Sequence, residues 1–383
     1  MVFHPTLQEE LRQLGQQVLV FQGGGALGAY QAGVYEALHK AGIELDWVIG
    51  TSIGAINASI IAGNAPADRM DRLRAFWKRV EFGGWLDDCL PDSLSTMLRY
   101  WSAVTTGIPG FFEPNFASRF GLRSPLDSDQ AGYYSVGPLR DTLGELVDFE
   151  IANAGTTRLT VGASNVSTSE MVYFDSREET LDMRHILASG ALPPAFPPVR
   201  IGDAYFWDGG VLSNTPVEMV FDDNPRRDSV IYSVHIWNPE GPPPRSMHDV
   251  MNRYKDVQYS SRSASHIKRQ RQLHRLRHII TEIADHLTEE AKSDPRVQSL
   301  LGYGCKTRMH VVRLLAPRLG YEDHSKDVDF SPSSIRQRWE AGYAHTMRML
   351  DSTPWRADAD PVEGFILHET MAGHSVVTAA AME

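Results

Sequence analysis

Two short apolar runs, each ending in a glycine turn and each followed by a helical pattern, restrict this chain to very few folds. The first run, residues 17–22 (QVLVFQ), leads straight into Gly23-Gly24-Gly25-Ala26-Leu27-Gly28. Behind it, Tyr30, Val34, Ala37, Leu38 and Ala41 recur on one face of a helical period, and Gly42 is placed to stop that helix. Residues 46–50 are the second run. A strand, loop, helix and strand within about thirty residues is the unit from which parallel sheets are built. The second run ends in Gly50-Thr51-Ser52-Ile53-Gly54, which spells G-x-S-x-G, and passes into a small-residue helical stretch over 55–62. Such a turn pushes the serine hydroxyl out of the backbone on a sharp bend. The hydroxyl becomes a nucleophile only with a base within reach and donors for the oxyanion that forms.

With 383 residues, 42% of them hydrophobic, the chain can bury a large core. The expected fold is α/β: a three-layer α/β/α sandwich on a mostly parallel sheet, with a long-helix extension. A net charge of −11 argues against nucleic acid as a partner. Cys89 and Cys305 make no disulfide framework, and no CxxC or Cys/His cluster suggests a metal. No basic-then-apolar leader and no apolar run of membrane-spanning length stand out, so a soluble, cytoplasmic protein is expected.

Residues 64–81 read as a helix. Over 82–136 the periodicity weakens, and Trp85, Trp101, Phe111, Phe112, Phe116, Tyr133 and Tyr134 stand among glycines and prolines. That is too long and too aromatic for a passive connection; a cap or lid is expected, with an irregular piece of core as the plain alternative. A helix at 138–147, strands at 158–164 and 170–174, and a helix at 182–189 follow. A rigid proline loop over 190–198 then leads to a strand over 199–207, ending at Asp208-Gly209-Gly210, and to an apolar strand over 229–237. The helical extension occupies 246–292. A strand at 307–315 and a helix capped by Ser331 and running through 350 return to the sheet. One domain is therefore expected over 1–351, with a tail over 352–383.

In the long helix, Leu273, Leu276, Ile280, Ile283 and Leu287 form a stripe expected to pack on the body or on a second copy as a homodimer. Residues 262–278 hold six Lys/Arg, three His and no acid. They read either as a solvated face or as a patch for peripheral contact with anionic membrane.

The glycine loop has two readings. Gly23, Gly25 and Gly28 spell G-x-G-x-x-G, with Glu44 and Asp46 about twenty residues on, which is a dinucleotide-binding pattern. Alternatively, consecutive glycines bare their N–H groups beside a helix N-terminus and form an oxyanion hole. Asp208-Gly209-Gly210 alone reads as a turn; alongside the other two motifs, Asp208 reads as a base. His235 would complete a Ser, Asp, His chain order, although its apolar strand makes it a core histidine.

Together, Gly23 to Gly28, Gly50 to Gly54, Asp208-Gly209-Gly210 and the proline-rich loop 189–199 resemble the patatin-like phospholipases, over residues 18–214. The part beyond 239 resembles an extension found in a bacterial subset. The resemblance implies a patatin-like fold and a lipid acyl hydrolase acting on glycerophospholipids or lysophospholipids, without cofactor or catalytic metal. Ser52 would be the nucleophile and Asp208 the general base and acid, with no catalytic histidine. Backbone N–H groups of Gly23, Gly24, Gly25 and Ile53 would hold the oxyanion, supported by Gly28, Gly50, Gly54, Gly209 and Gly210. Leu27 departs from the family, which often carries Arg or Lys there. Another ester such as a hydroxyacid oligoester, a dinucleotide, or a non-enzymatic scaffold role remain the alternatives.

Overall fold

The computed structural model describes residues 5–83, 92–116, 126–319, 322–357, 363–370 and 375–377. Helix α1 (Pro5–Leu14) leads into β1 (Gln16–Phe21), α2 (Ala29–Lys40), β2 (Trp47–Thr51), α3 (Ile53–Ala62) and α4 (Arg69–Arg79). The aromatic insertion holds α5 (Asp92–Thr106) and a ribbon of β3 (Glu113–Pro114) and β4 (Tyr134–Ser135); Trp85 and Cys89 lie outside the described residues. Next come α6 (Gly137–Leu146), α7 (Phe149–Asn153), β5 (Arg158–Asn165), β6 (Met171–Asp175), α8 (Met183–Ser189), β7 (Val199–Ile201), β8 (Ala204–Asp208), α9 (Glu218–Phe221) and β9 (Ser229–His235). The extension is α10 (Met247–Asp285), α11 (Glu289–Ser293) and α12 (Pro295–Leu301), followed by β10 (Met309–Leu315), α13 (Pro332–Ser352), β11 (Phe365–Thr370) and β12 (Ser375–Val377).

The two-residue period of the strands sorts the core into two halves. Leu19, Phe21, Val48 and Tyr232 join the cluster under α2, α3, α4 and α13. Val18, Val20, Trp47, Ile49 and Ile231 join the cluster under α9 and α10, through Val220, Phe221 and Ile267. Strands apolar on both faces must be covered on both, and that produces three layers. Among the described residues the sheet has ten strands in the order β12-β11-β10-β9-β1-β2-β5-β8-β7, with β6 also on β5. The run from β11 to β5 is parallel throughout. The fold is therefore α/β with a mostly parallel mixed sheet and long C-terminal helices, as expected.

Three local differences have physical causes. The expected single strand over 199–207 is a hairpin of β7 and β8, turned at Gly202 with φ +58°. The stretch after Ser352, read as a tail, supplies β11, which pairs with β10. Three of the five stripe residues do not pack on the body: Leu273, Leu276 and Ile283 are 37%, 56% and 56% exposed, while Ile280 and Leu287 are part-buried. The body-facing side is instead Ile267, Gln270, His274 and His278. Both histidines place Nε2 at 2.8 Å from the Thr307 carbonyl, and an imidazole buries readily once a ring nitrogen is hydrogen-bonded.

Candidate active site

Ser52 stands between β2 and α3 with φ 57° and ψ −126°. A non-glycine residue held there costs on the order of 1–3 kcal/mol and persists only when its surroundings over-determine it. A Cβ on Gly50 would lie 2.3 Å from the Gly54 carbonyl oxygen, so strand and helix can cross this closely only over glycine. The Ser52 N–H donates to Ser189 Oγ at 3.0 Å, and that hydroxyl donates to the Gly162 carbonyl at 2.7 Å. The Ser52 carbonyl accepts from Ala55 and Ile56 at 2.9 and 3.1 Å.

Sheet register brings Asp208 to it. Along β5, β2 pairs as far as Thr51 opposite Gly162. At the next residue, Ala163, the partner is Asp208 of β8. With β6 covering residues 160–164 from one side, β2 and β8 must share the other: β2 turns away into the elbow and β8 takes its place. The handover sets Asp208 beside Ser52, close enough for the serine hydroxyl to favour the ionised carboxylate. Asp208 is 2% exposed. Its backbone is fixed by Ser164 Oγ donating to its carbonyl at 3.0 Å and by its N–H donating to Ala191 at 2.9 Å. Gly210 N–H donates to Oδ1 at 2.7 Å. Burial pushes the Asp208 carboxyl up to about 6, against the smaller opposing effects of the Ser52 hydroxyl and the Gly210 N–H.

The glycine loop crosses above this pair. The Gly23 N–H is committed to Asn214 Oδ1 at 3.1 Å, and the Gly23 carbonyl accepts from Asn214 Nδ2 at 3.0 Å and Trp237 Nε1 at 2.7 Å. Among the described residues no acceptor meets the N–H of Gly24 or Gly25. Gly25 has φ +55°, and a Cβ there would sit 2.1 Å from the Asp327 carbonyl, which accepts from Ala26 N–H at 2.8 Å. Lys255 of α10 pairs with Asp327 Oδ1 at 2.6 Å. The N–H groups of Ile53 and Gly54, the first two of α3, have no acceptor within the helix and form its positive end.

A cavity of about 250 Å³ opens over Ser52 and Asp208. Its apolar wall includes Tyr100, Phe111 and Phe112 of the aromatic insertion, Phe196 of the proline loop and Phe330. Phe112 meets Phe196 edge-on at 5.6 Å, and Phe111 meets Phe330 at 5.5 Å. Asn214, Trp237, Lys255 and Asp327 also line the cavity and were not singled out from the sequence. Only Asn214, six residues beyond Asp208 in a run of small polar residues, left a trace there.

His235 is not among the residues lining that cavity. It is buried, with Nε2 at 2.9 Å from Ser233 Oγ on its own strand, and burial drives its imidazole down to about 3. Within residues 262–278, Arg271 bonds Glu363 at 2.7 Å and Arg277 donates to the Phe221 carbonyl at 3.0 Å, while Lys268 and Arg269 are exposed. Among the described residues no helix is long and apolar enough to cross a membrane.

The sequence model of a family described as Patatin-like phospholipase matches residues 19–221, and one described as Patatin phospholipase matches 257–362. Lysophospholipase nte1 of Aspergillus terreus is 51% identical over 209 residues, covering 54% of this chain and 11% of that one. Lysophospholipase NTE1 of Debaryomyces hansenii is 29% identical over 202 residues, 52% of this chain and 10% of that one. An uncharacterized NTE family protein of Mycobacterium tuberculosis is 27% identical over 228 residues, 57% of this chain and 32% of that one. The chain thus spans only 10% to 32% of the length of these relatives. VipD from Legionella pneumophila aligns with a TM-score of 0.37 and 17% identity, covering 88% of this chain and 67% of that one.

Proposed function

We propose a reaction for a chain that belongs to the patatin-like phospholipase family, a family of serine lipid hydrolases. Ser52 is the nucleophile and Asp208 the base of a two-residue centre that cleaves carboxylic esters of lysophospholipids or glycerophospholipids. The carrying observation is the handover along β5, which puts a buried carboxylate beside a strained serine under an aromatic cavity.

Ser52 Oγ attacks the ester carbonyl carbon while its proton passes to the Asp208 carboxylate. The carbonyl π electrons move onto oxygen, and the oxyanion takes hydrogen bonds from the N–H groups of Gly24, Gly25 and Ile53. Gly23 holds the loop through Asn214 rather than donating to the oxyanion. The tetrahedral adduct collapses, the C–O bond to the alcohol breaks, and Asp208 returns the proton to the leaving oxygen. Water then attacks the acyl-enzyme, giving its proton to Asp208; Ser52 leaves with that proton and the carboxylic acid is released.

The small cavity falls just below the usual range of ligand-site volumes and favours one acyl chain over two. The dinucleotide reading fares worse, because Asp327 and Trp237 pack directly on the loop that a pyrophosphate would need. Peripheral contact with anionic membrane through 262–278 would fall to exposed cations such as Lys268 and Arg269; liposome co-sedimentation after their neutralisation tests it.

The decisive experiment is labelling with a fluorophosphonate probe. Wild type labels, Ser52→Ala does not, and Asp208→Asn labels far more slowly. Equal labelling of Ser52→Ala would sink the assignment. A panel of lysophospholipid, diacyl phospholipid and hydroxyacid oligoester then ranks the substrates.

A further inference from the structure

At the start of α10, outside the residues that line the cavity, three side chains that can ligate a metal come together from positions 75 residues apart in sequence. His248, Asp323 and His324 each offer a ligating atom within 4.8 Å of the others. His248 Nε2 stands 3.7 Å from Asp323 Oδ2, against about 3.4 Å between two ligands of tetrahedral zinc at ordinary bond lengths. The carboxylate is already oriented. Its Oδ1 accepts from Ser325 N–H at 2.7 Å and from the Ser325 hydroxyl at 2.5 Å, which leaves Oδ2 for His248. Metal ligands are commonly fixed by such outer hydrogen bonds. Among the described residues, two buried polar atoms at this junction lack hydrogen-bond partners, His324 Nδ1 and Asn252 Oδ1. Asn252 lies one turn beyond His248, and its Nδ2 donates to the Glu322 carbonyl at 3.3 Å. Leaving buried polar atoms unsatisfied is costly, and a cation with water in its shell would use them.

We propose that His248, Asp323 and His324 bind a divalent transition ion, zinc above all, which fastens the start of α10 to the segment 322–330. Two imidazoles and one carboxylate favour zinc over calcium or magnesium, which take oxygen ligands. The ion has no part in the ester chemistry. It braces a wall: the same segment carries Asp327, whose carbonyl holds Ala26 of the glycine loop, and Phe330, which lines the cavity. Tyr100, also on the cavity wall, has its ring 5.9 Å from that of His324.

The test titrates ZnCl2 into the chelator-treated full chain by calorimetry, for wild type, His248→Ala and His324→Ala, with CaCl2 as a parallel arm. Wild type should bind one zinc per chain, and either variant should lose at least tenfold in affinity. Zinc should raise the unfolding temperature of wild type alone, and metal-free probe labelling should be equal in all three. His248 is 54% exposed at its side chain, so His248→Ala keeps its fold even if His324→Ala does not. Equal zinc affinity in wild type and His248→Ala, no binding at tenfold excess of zinc, or calcium bound as tightly as zinc overturns the site.

Discussion

Replacing Asp208 with Asn should make the protein more stable while it removes activity. The carboxyl ordinarily ionises near 3.8 and is pushed up to about 6 by burial. The folded state therefore holds this proton more tightly than the unfolded chain does. As pH rises through that interval, the unfolded chain loses the proton first, and stability falls. Above pH 6 the whole cost stands, and a gap of roughly two pH units is worth about 3 kcal/mol. Asparagine removes the charge, keeps the shape and retains an oxygen for the Gly210 N–H. With an unfolding entropy of about 2 cal/mol/K per residue, 3 kcal/mol corresponds to a rise in Tm of about 4 °C for 383 residues. At pH 5 the same linkage leaves about half of that gain. Differential scanning calorimetry of both proteins at pH 7.5 and pH 5 measures it. A variant no more stable than wild type at pH 7.5, or a gain that grows toward acid, refutes the reasoning.

The same carboxyl should impose an acid limb on kcat/KM, with a roughly tenfold loss per pH unit below about 6 and a plateau above it; a flat profile down to pH 5 would remove Asp208 as the base. Asn214→Ala should lower kcat by about 10- to 100-fold with the fold intact, because Gly23 loses its side-chain tether; circular dichroism beside steady-state kinetics reads both. Gly25→Ala forces a Cβ against the Asp327 carbonyl and should cost about 2–3 kcal/mol in urea unfolding. His235→Ala should keep most activity, and a loss as deep as that of Ser52→Ala in a folded protein would point to a triad instead.

What could be read from the sequence follows the range of the interactions. Strand, glycine turn and helix were legible around Gly23 and Ser52 because those constraints act within a few residues. The crossing at Gly50 is a local clash that only glycine escapes. Asp208 was legible as a motif, but its approach to Ser52 depends on which edge of β5 the hairpin takes, and no local pattern encodes that. Asn214, Trp237 and Asp327 act on the glycine loop from about 190 to 300 residues away, and each is an ordinary residue in its own neighbourhood. On α10 the leucines drew attention, yet His274 and His278 face the body, because hydropathy assigns no value to a carbonyl waiting at Thr307. β11 was missed because its short run follows a polar stretch and looks like any edge.

The position of β1 between β2 and β9 has a consequence in time. One edge of β1 is paired almost as soon as it is made, since β2 follows within thirty residues or so. The other edge waits for β9, roughly 200 residues later. At ribosomal speeds of about 5–20 residues per second, that edge stands open for about 10–40 s in the nascent chain. It is apolar on both faces and offers unpaired backbone groups to any passing strand. Yield in cells should therefore respond to the pace of translation between codons 22 and 229 and to holding chaperones, even for variants whose finished fold is fully stable.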